Sequence, residues 1–163
     1  MAKVVRTKGP GAKELEIMLT GLDGKQGRAG WFESSKYPDG TPVAYVAAIQ
    51  EFGVAAKGIP PRLGLRELVK KKTPQWRDLA KSGVKAVIKG NATIGQVMEG
   101  LGLQAAGDIR KRISEVSSPP LKPSTVAARR RKMADGKTVG SLTKPLVETG
   151  YMIATANNDV IDV

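Results

Sequence analysis

Among side chains able to act on a substrate, this sequence offers carboxylates, amines, guanidiniums, hydroxyls and phenols, and it has neither histidine nor cysteine. That removes imidazole acid–base chemistry, thiol nucleophiles, disulfides and nearly every zinc or copper site. Asp23, Asp39 and Asp135 stand in turn contexts, and the glutamates fall on solvated faces or in turns. No carboxylate pair at helical spacing faces a recognisable pocket, so the chain reads as a non-enzyme, with a carboxylate-only nuclease site the one catalytic option left open. Gly24, Gly27 and Gly30 interleaved with Lys25 and Arg28 have the look of a phosphate cradle. No G-K-[ST] closes it and no dinucleotide fingerprint precedes a helix, so it reads as the flexible tip of a hairpin, and no cofactor or metal is expected.

The remaining chemistry is cationic. With 27 Lys+Arg against 15 Asp+Glu the formal charge is +12, which calls for an acidic partner, whether nucleic acid or complementary protein surfaces. Two placements stand out. Arg62 follows Pro60-Pro61, whose fixed φ makes a stiff elbow that presents it. Arg129-Arg130-Arg131-Lys132 is the densest basic run; it reads as a solvated surface whose four cations repel one another unless an anion or an acidic partner answers them.

The elements that position these residues follow from periodicity and punctuation. Met1 to Ala12 reads as a flexible basic arm, and residues 13–163 as one domain by size. Leu15, Ile17 and Leu19 alternate with polar residues as in a strand, Asp23-Gly24 signals a turn, and a second strand is expected from about Ala29 to Ser34. Val43–Phe52 reads as a short helix with Val46, Ile49 and Phe52 on one face, ended by Gly53. Leu65–Lys72 reads as a helix closed by three lysines, and Thr73-Pro74 as the start of another, with Trp76, Leu79, Ala80, Val84, Val87 and Ile88 as its stripe. A long helix is expected from about Asn91 to Glu115, with Gly95, Gly100, Gly102 and Gly107 marking either a close neighbour or a bend. Ser124 or Thr125 should cap a helix running through Lys132, Ala134 to Ser141 reads as a mobile loop, Tyr151–Thr155 as a final helical turn, and Val160–Val163 as a last strand. The expected fold is α+β: a small, mostly antiparallel sheet of early and terminal strands packed against two long amphipathic helices.

Three phrases resemble one family. A helix ending Ile49-Gln50-Glu51-Phe52-Gly53, a loop, and Ile59-Pro60-Pro61-Arg62 before another helix resemble the neck and tail-completion proteins of tailed bacteriophages, the phage virion-morphogenesis group. Pro119-Pro120-Leu121-Lys122-Pro123-Ser124-Thr125-Val126 and Lys144-Pro145-Leu146-Val147-Glu148-Thr149-Gly150 resemble its P-P-L-x-x-x-T-[IV] and K-P-L-[IV]-[DE]-T-G segments. The usual P-P-R-P-F-L is here Pro60-Pro61-Arg62-Leu63-Gly64-Leu65, which lacks the aromatic anchor. The three occur in family order between roughly Gly30 and Val163.

The resemblance implies a structural virion component: a homo-oligomeric ring joining the head connector to the tail, with other neck, connector and tail proteins as partners and DNA passing nearby without specific contact. Phe52, Pro60, Pro61, Arg62, Arg129, Arg130, Arg131, Lys132 and Tyr151 are the candidate contacts with partner proteins or with other copies of the chain. No apolar run approaches the roughly 20 residues of a membrane span, so host cytoplasm during assembly and the virion afterwards are the expected locations. A basic nucleic-acid-binding module is the alternative, although no helix-turn-helix phrase, zinc module or aromatic stacking platform accompanies the charge.

Overall fold

The computed structural model describes residues 24–163; the basic arm, the strand expected at Glu14–Leu22 and Asp23 lie outside them. The architecture is α+β, a two-stranded antiparallel sheet with two long helices layered on it, one packed on the strands and the second behind the first. Strand β1 (Lys25–Gly30) pairs with β2 (Asn157–Asp162), so the early and terminal strands meet in one sheet as expected. The strands differ from expectation in position. β1 occupies the glycine-rich stretch read as a hairpin tip and stops at Gly30, and β2 begins at Asn157, three residues before the expected Val160. The register places Lys25 opposite Asp162 and Arg28 opposite Asp159, where both pairs form ion pairs, and both strands pack on a long helix. Gly27 serves a close approach: a Cβ there would stand 3.2 Å from the Met98 carbonyl oxygen.

Helix α1 (Val43–Phe52) buries Val43, Ala47 and Glu51. This is a different face from the expected Val46–Ile49–Phe52 stripe, and Phe52 is exposed. The face is set by what covers it: Val43 and Ala47 meet Leu63, Ile109, Ile113, Met152 and Ala156 in the main core. Gly53 ends α1 at φ 72°, and a Cβ there would come within 2.7 Å of the Ile59 carbonyl, so the chain folds back over a position that only glycine fills.

Helix α2 (Leu65–Ile88) is one continuous 24-residue helix and corrects the expected two. Pro74 sits inside it, and Lys70-Lys71-Lys72 are interior residues rather than a C-terminal cluster. A proline there removes a backbone hydrogen bond and crowds the Lys70 carbonyl, while packing on the next helix holds both halves in line; the Thr73 hydroxyl donates to the Val69 carbonyl at 2.7 Å. Helix α3 (Ile94–Glu115) starts three residues after the expected Asn91 and is capped by Thr93: Thr93 Oγ1 accepts from Gln96 N, and Gln96 Oε1 from Thr93 N. α3 is the spine, lying against both strands on one side and α2 on the other. Of its glycines, Gly102 marks a close neighbour, since a Cβ there would lie 2.8 Å from the Asn158 Cβ, while Gly100 and Gly107 face open space. Helix α4 (Pro123–Ala134) starts with proline at its first position and Lys122 as cap residue, two residues before the expected Ser124 and three before Thr125. A short helix, α5 (Tyr151–Thr155), leads into β2.

Candidate partner-binding cleft

The elbow after α1 is built by hydrogen bonds the sequence does not advertise. The backbone N–H groups of Arg62 and Leu63 both donate to the Gln50 carbonyl, at 2.7 and 3.0 Å, which folds the proline segment back onto the end of α1. Helix α2 begins after Gly64, a residue with no side chain to cap it, and Glu51 supplies the cap from α1. Its carboxylate accepts from Leu65 N at 2.7 Å and Arg66 N at 3.2 Å. Burial alone would raise the Glu51 pKa; the hydrogen bonds from Leu65, Arg66 and the Arg66 side chain, with the Arg66 charge, outweigh it and hold the carboxyl below its ordinary value. Glu51 is therefore the hinge pin of the I-Q-E-F-G phrase, and its place among the apolar residues of α1 is the signal that was available.

Arg62 does what a stiff elbow predicts. Its Nε donates to the Pro119 carbonyl at 3.0 Å and a terminal nitrogen to Pro120 at 3.3 Å, tying the first phrase to the second. Arg129 corrects the solvated reading of the basic run. It is buried, one terminal nitrogen donates to the Ser141 and Lys144 carbonyls at 2.8 Å each, and Nε lies 3.6 Å from Glu148 Oε2. Lys132 meets the other Glu148 oxygen at 2.6 Å. The Gly140 N–H donates to the Glu148 carbonyl, so the end of the loop expected to be mobile is pinned to the third phrase at Glu148 and Arg129. Leu146 holds φ 62°, a conformation costly for a branched side chain, between buried Pro145 and half-buried Val147.

These ties enclose an open cleft of about 1040 Å³. The elbow and α1 form one wall, α4 and the segment before it another, and the Lys137–Thr149 loop the third. Val46, Ile59, Leu121, Leu146 and Met152 supply apolar lining, and Asp39 and Glu148 are its only carboxylates among the described residues. Of its cations, Arg62, Arg129 and Lys132 are engaged as described, whereas Lys57, Lys122 and Lys137 have no ion-pair or side-chain hydrogen-bond partner among the described residues. The Lys122 ammonium lies over Gly58, where a Cβ would come within 2.8 Å of Nζ.

The candidate contacts divide between places. Arg62, Arg129 and Lys132 line the cleft. Phe52, Pro60 and Pro61 line a smaller groove of about 520 Å³ on the other side of the elbow, also touched by Arg62 and Lys122, with the Arg66 guanidinium 4.9 Å from the Phe52 ring. Arg130 and Arg131 are exposed and line neither. Tyr151 packs on Tyr37 with ring centroids 5.1 Å apart, beside the cleft rather than in it. Sequence reasoning missed Lys57, Lys122, Lys137 and Glu148; for the last two phrases the signal was there, in a lysine between prolines and an acid four residues after a lysine. Compared with protein-family models, characterised proteins and solved structures, the chain matches none of them. Among the described residues no three acidic side chains converge as a metal-holding group, and no helix is long and apolar enough to cross a membrane.

Proposed function

We propose that this chain is a structural virion component of a tailed phage, a neck or tail-completion protein forming part of the ring that joins the head connector to the tail and lets DNA pass. The observation that carries the reading is convergence. Three phrases well separated along the chain, each similar to a segment of that family, surround one cleft and are stitched together by Arg62 and Arg129. Segments that merely resembled a family by accident would have no reason to share a site. The cleft suits a protein partner better than a reaction: among the described residues its lining sets apolar side chains beside lysines without a charge partner, its two carboxylates have no imidazole or thiol beside them, and one of the two is held by Arg129 and Lys132. A closed conduit requires heterologous contacts between neighbouring subunits, and a basic, partly apolar cleft on each subunit is the receiving half of such a contact.

Lys57→Glu with Lys122→Glu tests this in the assembling phage. Both side chains are exposed and neither makes an ion pair or hydrogen bond among the described residues, so the protein should remain soluble with nearly unchanged melting, while joined particles fall about tenfold or more and free heads and tails accumulate. Normal yields of joined particles from the double variant would remove the cleft from assembly.

A further inference from the structure

The continuity of α2 through Pro74 has a consequence for charge. At about 100° per residue, Lys70, Arg77, Lys81, Lys85 and Lys89, with Lys71, fall within about 120° of one another around the axis, and from Lys70 to Lys89 the row runs about 28 Å. All six are exposed. Two helices broken at Pro74 would point their cations in unrelated directions; one helix makes a single row. The row is sparsely answered. Lys81 meets Asp78 at 3.5 Å, Glu67 on the same side is drawn to Arg112 at 4.0 Å, and the other five cations have no ion-pair partner among the described residues. The opposite side is committed: Lys72 and Trp76 turn inward to Asp108 on α3, and Val87 is buried.

We propose that this face of α2 lies along the phosphate backbone of duplex DNA. Its chemistry favours phosphates over an acidic protein surface, because protein interfaces are depleted of lysine at their centres and built on aromatic and apolar anchors, and this face carries five lysines, no aromatic residue and two apolar side chains, Pro74 and, at its end, Ile88. The missing aromatics also argue against single strands, whose bases need rings to stack on. Lysine ammonium groups spread over about 28 Å match a duplex that presents one negative charge about every 1.7 Å of its axis, and they read no sequence. The inference rests on the geometry of α2 and stands apart from the cleft, so it holds or fails separately from the neck reading.

The test is binding of the full chain to a mixed-sequence DNA duplex of about 30 base pairs as a function of salt, for the native chain, for Arg77→Gln with Lys85→Gln, and for Arg130→Gln with Arg131→Gln. Each phosphate that is no longer neutralised should lower the log–log salt slope by about 0.9. The α2 pair should flatten the slope by nearly 2 and weaken binding more than tenfold at low salt, and the α4 pair should leave the slope within about half a unit of native. All substituted positions are exposed, so melting temperatures should coincide and a folding defect cannot imitate the slope. Equal slopes for both variants, or an α2 variant indistinguishable from the native chain, would overturn the proposal. So would sequence-selective binding that survives high salt.

Discussion

Asp108 shows how single side chains set the fold. It is buried between α2 and α3, where its carboxylate meets the Lys72 ammonium at 2.9 Å and accepts from Trp76 Nε1 at 2.9 Å and Gln104 Nε2 at 3.3 Å. Burial pushes its pKa up, but these hydrogen bonds and the Lys72 charge more than compensate and hold it below the ordinary value of 3.8. A carboxyl whose folded pKa is depressed stabilises the protein above its unfolded pKa, and that stabilisation fades as pH falls through the folded value. Stability should therefore be flat near neutrality and drop below about pH 4, with Glu51 adding to the fall for the same reason. Asp108→Ala should cost about 3 kcal/mol near neutral pH, because Lys72 and the Trp76 N–H are left without their partner, and should blunt the acid transition. Chemical unfolding of both proteins between about pH 3 and 7 measures it; equal pH profiles would show that Asp108 titrates alike in the folded and unfolded chains. In the sequence Asp108 looks like solvated charge off the apolar stripe, and nothing local says otherwise: its partners Lys72 and Trp76 lie far back along the chain, on α2. Arg62 was legible because prolines fix φ whatever surrounds them. Arg129 was not, since the carbonyls that bury it belong to a loop with no strong pattern of its own.

At the scale of elements, what local chemistry decides was visible and what packing decides was not. The helices α1, α3, α4 and α5 follow from apolar spacing, caps and breakers, and the fold class follows from them. The fusion of α2 across Pro74 and the strand made from the glycine-rich stretch were not visible, because in both a tertiary partner overrides a local breaker: α3 beneath the proline, and the acidic side of β2 beside the glycines. The glycines of α3 can now be separated. Gly102→Ala should destabilise by about 1–3 kcal/mol through its clash with the Asn158 Cβ where α3 crosses β2. Gly100→Ala and Gly107→Ala, which meet nothing within 4 Å, should each stabilise by about 0.5–1 kcal/mol by limiting the unfolded chain. Denaturant midpoints of the three variants check the order; a stabilising Gly102→Ala would mean that the α3–β2 crossing is looser than the close approach of Gly102 to Asn158 implies.

For the whole molecule, the charge of +12 divides into parts with different tasks. Arg62, Arg110, Arg112 and Arg129 turn at least one guanidinium nitrogen onto backbone carbonyls and hold the elbow, β2 and the loops in place. Lys57, Lys122 and Lys137 are left over in the cleft, and the lysines of α2 along an outer face. Under the proposed ring role this division would give each subunit one surface to receive its neighbour and leave the internal arginines to hold the fold. Exposed Phe52, beneath Arg66 and beside the proline elbow, offers a second apolar contact on the far side of the same wall. The most direct test of the proposed role is a cryo-electron microscopy reconstruction of particles made by the phage proposed to encode this chain, without imposed symmetry at the head–tail junction. The account predicts a closed ring of this chain between the connector and the tail, with the cleft of each subunit occupied by its neighbour or by an adjoining neck protein. Finding the chain in the capsid shell or the fibres, or absent from the particle, would contradict it.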